Sequence, residues 1–96
     1  MSELIIVGTI CAIAGERDRV ALLLQEHRER CLRTEEGTVS FQILTADEND
    51  NDIFVHEVYR DDEAFNRHLN GPSLRQWQSD VANLLSGFTL HQARTV

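Results

Sequence analysis

Basic residues are scarce in this chain, nine against sixteen acidic ones, and the net charge of its 96 residues is −7. A chain so acidic has no basic face to offer nucleic acid or an anionic membrane, so neither is expected as a partner. Cysteine is almost as sparse. Cys11 and Cys31 are too few and too far apart for a disulfide framework or a thiolate metal site. Both fall on apolar faces and read as reduced, small hydrophobes. No apolar run approaches the roughly 20 residues of a membrane helix. Leu4 to Val7 is apolar but lacks the basic flank of a signal peptide, so a cytoplasmic protein is expected. Gly-rich phosphate loops, a nucleophile elbow and Cys-x-x-Cys are all missing. With them goes the signature of any organic cofactor; no cofactor and no metal is expected. Internal repeats and low-complexity segments are also lacking, and residues 1–96 read as one domain.

What is present alternates cleanly. Leu4 to Ile13 is apolar on both faces and rich in β-branched residues, as a central strand is. Arg17 to Arg33 carries Val20, Leu23, Leu24, His27 and Cys31 at helical spacing, with Gly37 suited to a left-handed turn at the helix exit. Thr38 to Thr45 alternates with Val39, Phe41 and Ile43 on one face, and reads as a strand nearer the sheet edge. Ala46 to Asp52 is a polar hairpin loop. Its Asp-Glu-Asn-Asp-Asn run fails as an EF-hand, because the turn glycine is missing and Val58 stands where the bidentate Glu belongs. Ile53 to Arg60 is the third strand. A second helix, starting at Asp61 or Asp62, breaks at Asn70-Gly71-Pro72. Ser73 then opens a helical piece from Leu74 to Ser86, and Phe88 to Thr95 is the last strand. The order β-α-β-β-α-β predicts an α+β, ferredoxin-like fold: a four-stranded antiparallel sheet with helices on one face. Strands that are apolar on both sides call for a second cover, and a homodimer packed sheet on sheet supplies it.

The chemistry concentrates between Ile53 and Leu69. Ile53, Val55, Glu57 and Tyr59 share a strand face, and a carboxylate there needs a partner. Ala64, Phe65, His68 and Leu69 recur at helical spacing, which puts His68 beside the apolar stripe. Glu57 and His68 are therefore expected to face each other, the carboxylate fixing the imidazole's tautomer. Each also has a structural reading: an ion pair for Glu57, a carbonyl-bonded histidine near the Pro72 break for His68. Tyr59 is either a hydrogen-bond donor to a substrate oxygen or an amphipathic core residue. Trp77 walls a pocket or fills the core, with Phe65 and Phe41 as further pocket candidates. His27 and Cys31, four residues apart, supply only two metal ligands.

Glu57-Val58-Tyr59, then Asp61-Asp62-Glu63-Ala64-Phe65, His68 and Gly71-Pro72, resembles the signature of the antibiotic biosynthesis monooxygenase family. Glu35-Glu36-Gly37-Thr38-Val39-Ser40-Phe41 is similar to the family's Glu-x-Gly stretch leading into strand two. The resemblance implies a dimeric α+β barrel and a cofactor-independent monooxygenase. Its substrates would be small electron-rich aromatics, quinols or anthrones, oxidised with O₂. His68 would be the base, Glu57 its orienting partner and Tyr59 a hydrogen-bond donor. Glu-x-Tyr, where the family often has Glu-x-Trp, also resembles a group that isomerises a phosphorylated dione of quorum-signal breakdown. Ser73, where many relatives have His, weighs against a two-histidine mechanism. A haem-degrading branch is set aside, because Gln78 falls where its axial histidine would be. A dimeric module that binds a small aromatic or carbonyl ligand without turnover would use the same pocket.

Overall fold

The structure is a computed structural model and describes residues 2–96. Strand β1 (Leu4–Ala12) leads to helix α1 (Arg17–Thr34), strands β2 (Thr38–Thr45) and β3 (Asp52–Tyr59), helices α2 (Asp62–Leu69) and α3 (Pro72–Asp80), and strand β4 (Leu85–Ala93). The strands form one antiparallel sheet in the order β2-β3-β1-β4. This is the ferredoxin-like α+β arrangement, with the second helix split in two. Among the described residues no helix is long and apolar enough to cross a membrane.

β1 is central, as its apolar character on both faces requires, and β2 is an edge. The register aligns Phe41, Glu57 and Ile6 in one row across β2, β3 and β1 on the helix side. Two apolar clusters fill that side. One gathers Ile10, Val20, Leu24, Phe41, Ile53, Val55 and Trp77; the other holds Leu4, Ile6, Tyr59, Ala64 and Phe65. The Glu57 row runs along their seam. A carboxylate there is tolerated only with a partner.

Local signals set most boundaries, and four features differ from the sequence expectation. Asp61 caps α2 by accepting the Ala64 amide at 2.8 Å, as an aspartate before a helix does. Gly71, not Ser73, is the N-cap of α3, and Pro72 occupies the first turn, where its missing N–H costs nothing. α3 stops at Asp80 instead of continuing to Ser86. The Leu84 carbonyl accepts the Ile13 amide at 2.9 Å, so the chain is drawn into the sheet and β4 begins at Leu85. A register shift between Thr38 and Ser40 turns Val39 outward and Thr38 inward, because a bulge residue leaves the alternation. Finally, the left-handed glycine is Gly15, at φ +84°, in the turn before α1. Gly37 serves close packing instead. A Cβ there would run into the Ala64 Cβ, so its absence lets α2 close onto the end of α1.

Candidate active site

That close approach brings the C-terminus of α1 against α2. Glu35, the residue just past α1, accepts from His68 Nδ1 at 2.8 Å and from Thr38 Oγ1 at 3.1 Å through the same oxygen, Oε1. Its other oxygen, Oε2, is buried and has no hydrogen-bond partner. His68 is also buried, its ring lying against Tyr59, Phe65 and His27 at centroid distances of 5.2, 6.3 and 5.6 Å. In the tautomer that donates Nδ1–H to Glu35, Nε2 is the acceptor nitrogen of the ring.

The sequence alone pairs His68 with Glu57; the hydrogen-bonded carboxylate is Glu35. Glu57 instead accepts the Tyr59 hydroxyl at 2.6 Å. Burial pushes the Glu57 carboxyl up from its ordinary value, against the Tyr59 bond and the nearby His68, which favour the anion. Tyr59 is pushed far above the phenol range, first by burial and then by the Glu57 charge. It is fully buried in the second apolar cluster. Its hydroxyl is therefore spent on Glu57, and Tyr59 acts from behind that residue.

A cavity of about 520 Å³ opens between the helices and the sheet. His27, His68 and Glu57 line it, together with Phe41, Phe65 and Trp77. Its walls are mostly apolar, with Gln78 and Ser86 as further polar residues, as is usual for a site that takes a small organic molecule. Its rim on β4 carries Phe88 and Leu90, which are exposed because no helix covers that strand.

His27 is a second imidazole of the site. Its ring stacks on Trp77, centroids 5.6 Å apart and planes 28° from parallel, and meets the edge of Phe41 at 5.7 Å. Burial, aided by His68 and Arg30, lowers its pKa to about 4, so it is neutral at pH 7. Cys31 Sγ lies 3.6 Å from His27 Nε2 and 3.8 Å from His68 Nδ1. Burial, then Glu35 and Glu57, raises the thiol well above its usual range. Glu35 and His27 are site residues that the sequence reading does not select for catalysis. Their signal is present all the same: His27 and Cys31 fall at i and i+4 on one face of α1, and Glu35 follows at i+8, just past the helix end.

Residues 4–80 match the family model described as antibiotic biosynthesis monooxygenase. The chain belongs to that family. No curated protein matches its sequence. Several solved structures share the antibiotic biosynthesis monooxygenase fold. A protein of Caulobacter crescentus provisionally named as an antibiotic biosynthesis monooxygenase superimposes with a TM-score of 0.92 at 12% identity, over 99% of this chain and 91% of its own. One from Nitrosomonas europaea with the same provisional name gives 0.91 at 14%, over 99% and 91%. A Pseudomonas aeruginosa protein gives 0.90 at 21%, over 100% and 96%. At such identities the likeness is one of fold. The family's name gives monooxygenase chemistry as the general class.

Proposed function

We propose that the protein is a cofactor-independent monooxygenase that oxidises small electron-rich aromatics, quinols or anthrones, with O₂. The observation that carries this reading is the His68–Glu35 pair at 2.8 Å, with His68 lining a mostly apolar cavity. Glu35 holds the ring by Nδ1, which leaves Nε2 to accept a proton from substrate. Phe41, Phe65 and Trp77 flank a flat aromatic molecule, and the Phe88–Leu90 rim admits it. For an anthrone, the base removes a proton from the activated CH₂. The resulting carbanion passes an electron to O₂, the radical pair combines to a peroxide, and loss of water leaves the ketone. One oxygen atom ends in the product and the other in water. Glu57, held by Tyr59, presents a carboxyl to the same cavity and orients a substrate hydroxyl. The enzyme acts as a homodimer joined through the outer sheet face, where Val7, Leu44 and Phe54 are exposed.

The test is oxygen uptake with hydroquinones, dihydroxynaphthalenes and anthrones, counting only the excess over autoxidation. Enzyme-dependent uptake that collapses in His68→Ala supports the reading. Uptake equal in both proteins removes His68 from the chemistry. No excess with any of these compounds sinks the oxygenase itself and leaves the isomerase or the binding module.

A further inference from the structure

The buried cluster at the back of the cavity has a composition that proton transfer alone does not require. It holds two imidazoles, a thiol and a carboxylate: His27 and Cys31 from one face of α1, Glu35 just past its end, and His68 from α2. The ring nitrogens of His27 and His68 and the sulfur of Cys31 all lie within 4.8 Å of one another, and all three residues are buried. Glu35 Oε1 adds a fourth donor, 2.8 Å from His68 Nδ1. We propose that these four residues form a binding site for a borderline-soft divalent cation, zinc in the first instance.

The geometry suits it. In a tetrahedral zinc site with bonds of about 2.0–2.3 Å, donor atoms stand roughly 3.3–3.8 Å apart. Cys31 Sγ is already 3.6 Å from His27 Nε2 and 3.8 Å from His68 Nδ1, and Glu35 Oε1, 2.8 Å from His68 Nδ1 across their shared proton, moves out by about 0.5 Å once that proton is displaced. The charges suit it as well. The carboxylates of Glu35 and Glu57 both act on Cys31 to disfavour a thiolate, which marks a negative field that a cation would relieve. Arg30 opposes from nearby, its Nε and Nη2 buried without partners. Glu35 Oε2 is a further buried oxygen with no donor, available to a cation if the carboxylate turns. The Ser73 carbonyl lies against the His27 ring and steadies its orientation, as outer partners of metal-bound histidines do. His27 and His68 line the cavity, so a cation reaches the cluster through it.

Binding rearranges protons in a defined way. Zinc displaces the Nδ1 proton of His68, which moves to Nε2 as the ring changes tautomer. The Cys31 thiol loses its proton to solvent, so zinc is exchanged for one proton overall. His68 can then accept nothing at Nε2, and a filled site silences the base.

Cobalt(II) replaces zinc as a spectroscopic probe, because a thiolate ligand gives it a charge-transfer band in the near ultraviolet. The expected result with the full-length chain is one cobalt per chain and a thiolate band that zinc displaces. The band persists in Cys11→Ser and disappears in Cys31→Ser, and His27→Asn weakens the metal at least tenfold. A wild-type protein without the band, or a band that survives in Cys31→Ser, overturns the site. Should Cys31→Ser fail to fold, Cys11→Ser decides. The chain has only two cysteines, so a band kept without Cys11 belongs to Cys31, and a band lost without it overturns the proposal.

Discussion

The sheet has two histidines on each side, and the two pairs live in different worlds. On the helix side, His27 and His68 are buried, 5.6 Å apart, among two carboxylates, a thiol and a tryptophan. On the outer side, His56 and His91 flank Val7 in one row across β3, β1 and β4, and His91 is exposed. The same side chain is enclosed by the fold in one place and left on the outer sheet face in the other. What separates them is enclosure within the chain: the Glu35 carboxylate is fixed 2.8 Å from His68 Nδ1, and the outer pair lies on the sheet face that no helix covers.

The sharpest way to break the contrast is to remove one histidine from each side. His68→Asn should lower enzyme-dependent oxygen uptake by about 10²–10⁴-fold, the usual worth of a positioned proton acceptor. His91→Asn should leave it unchanged, and equal losses would erase the distinction. Next in size is the outer face itself. Val7→Asp sets a carboxylate on each protomer at the proposed sheet-on-sheet contact. Light scattering across a dilution series should then show dimer association weakened roughly a hundredfold, about 3 kcal/mol. A chain that is monomeric before the change has no such interface.

A third prediction uses pH. His27 binds a proton near pH 4 when folded and near its ordinary 6.5 when unfolded. Between those values the unfolded chain holds more protons, so stability is complete above pH 6.5 and falls as the pH drops toward 4. The loss is about 3 kcal/mol. Glu57 works the other way, since its raised carboxyl favours the fold at low pH and ceases to do so as pH rises through its folded value. Urea unfolding at a series of pH values should show the acid limb, and His27→Gln should flatten it; a limb of equal slope in both proteins would mean another group titrates. The smallest effect expected is that of Tyr59→Phe. It leaves Glu57 without its 2.6 Å donor and should cost about 1–3 kcal/mol in urea unfolding. Any effect on substrate should pass through Glu57, because Tyr59 does not itself line the cavity.

The fold was largely legible in the chain because its devices are local. Alternation marks β1 and β3, Asp61 marks the start of α2, and Pro72 marks the break before α3. The end of α3 was not legible. Leu84 and Leu85 continue the helical apolar spacing, and only the distant Ile13 amide, which bonds the Leu84 carbonyl, decides that the chain turns there. The site divides in the same way. Glu57 and His68 stand out in any reading of the sequence, and both line the cavity. The true partner of His68 was hidden because it depends on how closely α2 approaches α1, and that distance is set by a missing side chain at Gly37. Glu35 enters the sequence reading only through the Glu-x-Gly resemblance, because nothing nearby in sequence tells how tightly two helices close.

Trp77 carries a consequence of its own. It is the single tryptophan of the chain, stacked face to face on His27 and open to the cavity. A ligand that fills that space lies beside the one strong fluorophore the protein has. Its emission is a native gauge: a quinone product should quench it, a colourless ligand shift it, and acid dim it as the neighbouring imidazole takes up charge. Occupancy of the site can be followed by light, without a label, in the unaltered protein.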